Sequence, residues 1–334
     1  MAGEDVREAV RRGGLLTHDR PVLVMLSGGR DSVCLLDVAV ALRTPGEVGA
    51  LHVNYGLREQ ADADERHCVE LCERLGVALE VVRERRPEAA PGPAAPAAAS
   101  ASAAAPAPGN LQAWARVIRY REAERIARRD DALVATGHTA SDQVETILYR
   151  LAASPGRRAL LGMVAREGRL VRPLLAVTRE QTTAYCEARG LPWREDCSNE
   201  DRSYARTRVR HGLLEALRAV HPAAEANVLR TAELLRAETL LLDALVSEEL
   251  AGARSIAVER LEQLPAALAR MVVVRLAEDA VGTYVPQAGE RVQELIELGR
   301  RRARSELHVG GRAGAVIEDG VLVMVKLPPR NQAR

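Results

Sequence analysis

The sequence predicts an α/β protein in which a parallel sheet carries helices on both faces, followed by a helical linker and a small α+β C-terminal domain. Three patterns carry that expectation. Strand-like apolar runs over 22–26, 48–53, 78–82 and 132–136 alternate with helical periodicities over 31–43, 59–75 and 110–129, the signature of a doubly covered parallel sheet. The first run, Val22-Leu23-Val24-Met25-Leu26, has no polar alternation, as a strand buried on both faces requires. Past residue 220 the pattern changes to a long helix over 222–250, helices over 265–280 and 286–299, and short strands over 306–309, 313–317 and 321–325. The turn dipeptides Gly310-Gly311 and Asp319-Gly320 separate those strands. The expected parts are a catalytic domain over 1–220, a linker over 221–252 and a small domain over 253–328.

Taken in order, the first strand empties into Ser27-Gly28-Gly29-Arg30-Asp31-Ser32. Two glycines let the backbone approach an anion closely, and a helix opening near Asp31 would aim its free N–H groups at phosphate. No Gly-Lys-Ser/Thr occurs and the only lysine is Lys326, so the loop is not of the Walker A type. The second run ends in His52-Val53-Asn54-Tyr55-Gly56-Leu57-Arg58, where the backbone of His52 and Val53 suits an adenine edge, Arg58 a phosphate, and the His52 ring a packed position. The stretch 87–109 is almost all Pro, Ala, Ser and Gly, with no large apolar side chain, and reads as a disordered surface insertion within the first domain. Beyond it, Arg116 and Arg119 share a helix face that suits an anion.

The fourth strand leads into Gly137-His138-Thr139-Ala140-Ser141-Asp142-Gln143-Val144-Glu145. His138, Asp142 and Glu145 recur at helical spacing at the carboxyl end of a sheet strand, an imidazole and two carboxylates suited to Mg²⁺ and an amine-bearing substrate. A solvated helix face opened by a cap is the bland alternative. Farther on, Arg206, Arg208 and Arg210 alternate after Trp193 and Tyr204, a pattern that fits either a grip on a nucleic-acid backbone or a plain amphipathic helix. Arg300, Arg301, Arg302 and Arg304 form a second basic cluster, which also fits a solvated helix end.

The 334 residues carry a net charge of only +1, so local arginine clusters rather than a global polycation must serve any nucleic-acid contact. No apolar run approaches the roughly 20 residues of a membrane span. The N-terminus has no signal-peptide core, so no membrane association and a cytoplasmic location are expected. The five cysteines, at 34, 68, 72, 186 and 197, form no CxxC pair and are expected to stay reduced. Cys68 and Cys72 fall on an apolar helix face, a core position rather than a ligand pair.

SGGRDS, HVNYGLR, ARVIRY, GHTASDQVET, the Arg172-Pro173-Leu174-Leu175 run and the segment from Trp193 to Arg210, in this order, resemble the tRNA(Ile)-lysidine synthetase family of PP-loop ATP pyrophosphatases, over about 22–221. Tyr55, Thr139, Ser141 and Thr207 depart from that family's usual His, His, Asp and Asn. The resemblance implies the short form of the family and ligation of L-lysine to C2 of the wobble cytidine in the CAU anticodon of tRNA(Ile), with ATP and Mg²⁺ as cofactors. It implies catalytic roles for Asp31, His138, Asp142 and Glu145, and metal ligation by Asp31 and Asp142. ATP would meet Ser27, Gly28, Gly29, Arg30, Asp31, Ser32, His52 and Val53. Substrate contacts would come from Arg116, Arg119, Arg206, Arg208, Arg210, Arg301 and Arg302, with a homodimer left open. The competing readings are another PP-loop tRNA-modifying enzyme such as a thiolase, which would need sulfur-carrying or cluster-binding cysteines, and a non-catalytic ATP-dependent RNA-binding protein.

Overall fold

The computed structural model describes residues 2–16, 19–56, 60–84, 111–153, 156–195, 205–301 and 303–328. The expected insertion at 87–109, and with it Arg58, Cys197, Tyr204 and Arg302, lies outside the described residues. The chain divides into two compact units, Met1–Leu235 and Arg236–Arg334. No described helix is long and apolar enough to cross a membrane.

The first unit opens with α1 (Ala2–Gly13), β1 (Val22–Met25), α2 (Arg30–Leu42), β2 (Val48–Asn54), α3 (Ala61–Leu75) and β3 (Ala78–Arg83). It continues with α4 (Leu111–Arg129), β4 (Leu133–Ala135), α5 (Ala140–Ala153), α6 (Arg157–Leu160), β5 (Arg166–Glu167) and β6 (Leu170–Val171). Then come α7 (Arg179–Ala188), α8 (Ala205–Arg208), a π-helical turn Val209–Leu213, and α9 (Leu214–Val220). Helix α10 (Ala224–Leu250) runs from this unit into the next.

The described strands of this unit form a sheet of order β3-β2-β1-β4-β6-β5. Val22, Val24 and Leu26 pack into one apolar cluster with Val33 and Leu36, while Leu23 and Met25 join Leu51, Val53 and Ile126 in another. Both faces of β1 are therefore covered, which is why its sequence does not alternate. Each such side chain contributes about 1.5–3 kcal/mol on burial.

Pairing is parallel from β3 to β6, but β5 turns back antiparallel on β6, with Glu167 opposite Leu170. Strands β3, β2, β1, β4 and β6 form the expected parallel sheet, and β5 adds an antiparallel edge that the sequence did not suggest. Two-residue strands carry no periodicity to read, and the left-handed Gly168 (φ 59°) closes their hairpin. Because β1, β2, β4 and β6 run parallel, Ser27, Asn54, Thr136 and Arg172 all emerge at the carboxyl edge of the sheet.

A buried ionic knot braces the helices behind that edge. Asp37 on α2 is 2% exposed; it accepts hydrogen bonds from Tyr185 Oη at 2.6 Å and from the Arg189 guanidinium at 3.2 Å, both from α7 or its C-cap. Arg7 of α1 reaches the same carboxylate at 3.4 Å. Burial alone would raise the Asp37 pKa, but these donors hold it below the usual carboxylate range.

The second unit contains the rest of α10, β7 (Ser255–Ala257), α11 (Val258–Gln263), α12 (Ala266–Val281), a 3₁₀ turn Pro286–Arg291 and α13 (Val292–Arg300). Strands β8 (Ser305–Gly310), β9 (Ala313–Glu318) and β10 (Val321–Lys326) follow, giving an antiparallel sheet of order β7-β10-β9-β8 among the described residues. The two turn dipeptides sit where expected, with Gly311 and Asp319 at φ 54° and 49°. β7 and α11 were not legible in the sequence, and the single helix expected over 286–299 is split between the 3₁₀ turn and α13.

Candidate active site

The loop after β1 takes the form its glycines permit. Gly28 is left-handed at φ 83°, and a Cβ there would sit 3.3 Å from Cys68 Sγ, so α3 packs directly behind the loop. Ser32 Oγ donates to Gly29 O at 2.7 Å and accepts from Ser27 N at 3.2 Å, closing the turn on itself. Arg194 N donates to Gly28 O at 2.9 Å, while the Arg194 side chain is ion-paired with Asp64 of α3. The opening N–H groups of α2, at Arg30 and Asp31, have no intrahelical acceptors and form an anion-seeking helix start.

Gly137 joins this loop to the second cluster. A Cβ at Gly137 would lie 3.0 Å from the carbonyl carbon and oxygen of Asp31 and 3.1 Å from Ser32 N, so only glycine allows the end of β4 to press against the start of α2. The backbone at Asp31 and the residue preceding His138 are therefore direct neighbours. Asp31 Oδ1 accepts from Thr182 Oγ1 of α7 and lies 3.2 Å from Arg30 Nε, whereas Oδ2 has no partner among the described residues.

Asp142 is more fully engaged. Its Oδ2 accepts from Thr139 N and Thr139 Oγ1, both at 2.9 Å, and its Oδ1 lies 3.2 Å from the Arg179 guanidinium. Burial disfavours its charge, yet Arg179 and the Thr139 N–H keep its pKa below the ordinary range. Glu145, 2% exposed, receives Arg210 Nε at 2.6 Å and Arg179 Nη2 at 3.4 Å. The structure brings Asp31, His138, Asp142 and Glu145 to one edge of the sheet, with both helical carboxylates matched by arginines.

His138 Nδ1 lies 2.8 Å from Thr136 Oγ1. Burial, with Arg172, Arg116 and Arg206 nearby, pushes its pKa down to about 4 against the pull of Asp142, so the ring is neutral near pH 7. The unfolded chain protonates this ring near its ordinary 6.5 while the folded chain waits until about 4, so its contribution to stability is lost as pH falls through that window. We expect the urea midpoint of His138→Asn to fall less steeply between pH 6.5 and 4 than that of the parent. Parallel slopes for the two proteins would contradict it.

His52 is a packed ring, 5% exposed, with Nδ1 2.9 Å from Leu26 O. Burial pushes its pKa down. It holds β2 to the loop entrance, while the β2 backbone at His52 and Val53 pairs with Val81 and Val82 of β3, beyond the last β1 pair, Met25 with Leu51. Arg116 lies over the Tyr120 ring at 4.6 Å. The alternating arginines do not act as one stripe: Arg206 and Arg208 are exposed, whereas Arg210 turns inward to Glu145 across the π-helical turn. In the second unit Arg300 is ion-paired with Glu262 and Arg304 with Glu306, leaving Arg301 exposed at the α13 C-cap.

Three contributors to the site escaped the sequence reading: Arg179, Thr182 and Gly137. A signal for the first two was present, since Thr178 and Gln181 form a reciprocal capping box that fixes the start of α7 at Arg179. The residues that depart from the resembled family's usual ones also have structural work. Thr139 caps Asp142, Ser141 Oγ accepts from Arg179 N at 3.2 Å, and Tyr55 Oη donates to Ala115 O at 2.8 Å.

Among the described residues, no group of three or more His, Cys, Asp or Glu side chains forms a metal cage. The described cysteines, Cys34, Cys68, Cys72 and Cys186, are free and buried. Burial pushes both Cys68 and Cys72 up to about 12, as thiols in a core rather than thiolate ligands.

A family model described as a PP-loop domain matches residues 5–217. A tRNA(Ile)-lysidine synthase of Salinispora arenicola is 39% identical over 260 residues, covering 75% of this chain and 72% of the relative. Another, from Pseudomonas fluorescens, is 37% identical over 237 residues, covering 69% of this chain but 49% of the relative, and one from Solibacter usitatus is 36% identical with 61% of its length covered. The chain thus spans half to three-fifths of two of the curated relatives it matches. Among solved structures, the U34-tRNA thiolase NcsA of Methanococcus maripaludis, determined with its 4Fe-4S cluster, aligns with a TM-score of 0.53 at 18% identity over 70% of this chain and 78% of that one, a likeness of fold. A PP-loop domain matched over most of the chain and a relative matched over 72% of its own length place the chain in the tRNA(Ile)-lysidine synthase family.

Proposed function

We propose that the protein joins the ε-amine of L-lysine to C2 of the wobble cytidine in the CAU anticodon of tRNA(Ile), converting ATP to AMP and pyrophosphate, in the cytoplasm. The observation that carries this reading is the press of Gly137 against Asp31 and Ser32, which sets a phosphate loop beside a neutral imidazole and two arginine-matched carboxylates. In the first step the cytidine O2 attacks the α-phosphorus and pyrophosphate leaves. In the second the amine nitrogen attacks C2, the C2–O2 bond breaks, and O2 departs with AMP.

The chain's own residues suit both steps. The N–H groups of Arg30 and Asp31 and the Ser27 hydroxyl suit developing phosphate charge, while Ser32, donating to Gly29 O, holds the loop that presents them. Mg²⁺ is ordinarily held by one or two carboxylates plus substrate phosphates, so the absence of a protein cage does not conflict with it. Asp31, whose Oδ2 has no partner among the described residues, fits that role, and the ion would supply neutralisation of phosphate charge. Both oxygens of Asp142 are already committed, which fits a group that shapes the amine's seat better than a bare metal ligand.

A free lysine amine has a pKa near 10.4 and must lose a proton before attack. His138, pushed down to about 4, is too weak a base to hold that proton at equilibrium; its neutral ring fits accepting a hydrogen bond from the incoming amine. A sulfur-transfer reading is less supported, because the described thiols are buried and not gathered into a ligand set.

The test is pyrophosphate release by the purified full chain. Sustained turnover is expected only with ATP, the CAU-anticodon tRNA and lysine together, with at most one equivalent released when lysine is withheld. Steady turnover without lysine would contradict the reading.

A further inference from the structure

Arg172 leaves β6 beside the end of β4, where Thr136 N donates to Val171 O at 3.0 Å and Thr136 Oγ1 meets the His138 ring. Its side chain is 7% exposed. Nη1 donates to Val164 O at 2.6 Å, and Nη2 lies 3.5 Å from Glu167, a carboxylate 68% exposed and therefore well screened. Nε is buried with no hydrogen-bond partner among the described residues. An arginine so deeply placed ordinarily has a carboxylate matched to it, because an under-compensated buried charge is expensive.

The neighbours make the deficit larger. Arg116 from α4 and Arg150 from α5 lie within electrostatic reach of both Arg172 and Arg206 of α8, and Arg172, Arg116 and Arg206 all act on the His138 ring. Among the described residues, none of Arg116, Arg150 and Arg206 has a carboxylate partner: Arg150 donates to Gly162 O at 2.6 Å and Arg116 covers the Tyr120 ring. Loss of hydration and mutual repulsion lower the pKa of Arg116 and of Arg150. Asp142 and Glu145 are themselves matched by Arg179 and Arg210, so they do not balance these arginines.

We propose that Arg172, with Arg116 and Arg206, forms a binding site for one phosphate group beside His138. The planar fork of guanidinium suits phosphate oxygens, and a bound dianion would relieve the mutual repulsion of these arginines. This deepens the ligation reading and rests on it only for the source of the phosphate, which is either the nucleotide's leaving pyrophosphate or the RNA backbone next to the reacting base.

The test uses the full chain with Arg172→Gln, Arg172→Lys and Arg206→Gln, the last at an exposed position chosen to leave folding intact. Dissociation constants are measured for inorganic pyrophosphate and for a tRNA(Ile) transcript over a range of salt. Arg172→Gln is expected to weaken one probe by about tenfold or more, with Arg172→Lys losing less and Arg206→Gln moving the same probe in the same direction. Loss confined to pyrophosphate assigns the nucleotide; loss confined to tRNA, with a salt slope shallower by about one, assigns the backbone. Unchanged affinity for both probes in folded Arg172→Gln overturns the site, and if that variant does not fold, unchanged affinity in Arg206→Gln does so. Loss of phosphate affinity in a chain that shows no lysine-dependent turnover would sink the ligation reading and leave this site standing.

Discussion

Asp31→Ala and Asp142→Ala are each expected to lower lysidine formation by about a hundredfold or more while leaving the cooperative unfolding transition in place. The two losses have different origins. At position 31 the change removes the carboxylate whose Oδ2 has no partner among the described residues, and Thr182 Oγ1 loses one of its two acceptors, keeping Arg179 O. At position 142 it removes the group that holds Thr139 and Arg179, so Arg179 is left with Glu145, already shared with Arg210. Pyrophosphate affinity should therefore fall more in Asp31→Ala than in Asp142→Ala when measured with Mg²⁺ present. Wild-type turnover in both purified variants would show that the site is elsewhere.

The largest expected stability effect lies outside the chemistry. Asp37→Ala removes the carboxylate that Tyr185, Arg189 and Arg7 share, and takes from the fully buried Tyr185 hydroxyl the acceptor of its proton, leaving the donor Arg7 Nε beside it. A buried hydroxyl and charged hydrogen bonds of this kind amount to about 3 kcal/mol; the half-exposed Arg189 can turn to water, which keeps the loss from being greater. That is a large share of the 5–15 kcal/mol typical of a folded domain. Because the folded-state pKa of Asp37 is lowered, the contribution is present above the ordinary carboxylate pKa and is lost as pH falls through the lower folded value. The difference in urea midpoint between parent and Asp37→Ala should accordingly shrink on acidification. A variant as stable as the parent at neutral pH would remove this knot from the account.

The sheet was legible where burial or loop geometry constrains every residue. Val22 to Leu26 had to be buried on both faces, and Gly28 had to be glycine to turn left-handed against Cys68, so strand and loop could be read together. His138, Asp142 and Glu145 were legible because helical spacing alone places them on one face. Their partners were not. Arg179 stands 37 residues beyond Asp142, Arg210 65 beyond Glu145 and Thr182 151 beyond Asp31, so only tertiary packing decides which arginine among many meets which carboxylate. The same limit applies to Arg210, whose alternation with Arg206 and Arg208 fitted either a nucleic-acid grip or a plain amphipathic helix, whereas the structure turns it to Glu145 across a π-helical turn.

The central claim is that lysine is ligated to cytidine in tRNA, and the product itself decides it. A CAU-anticodon tRNA(Ile) transcript incubated with the full chain, ATP, Mg²⁺ and isotopically labelled lysine, then digested to nucleosides and read by mass spectrometry, should yield one cytidine per tRNA heavier by one lysine less one water and carrying the label. An unmodified wobble cytidine, or a cytidine bearing sulfur in place of lysine, from protein that consumes ATP would contradict the account.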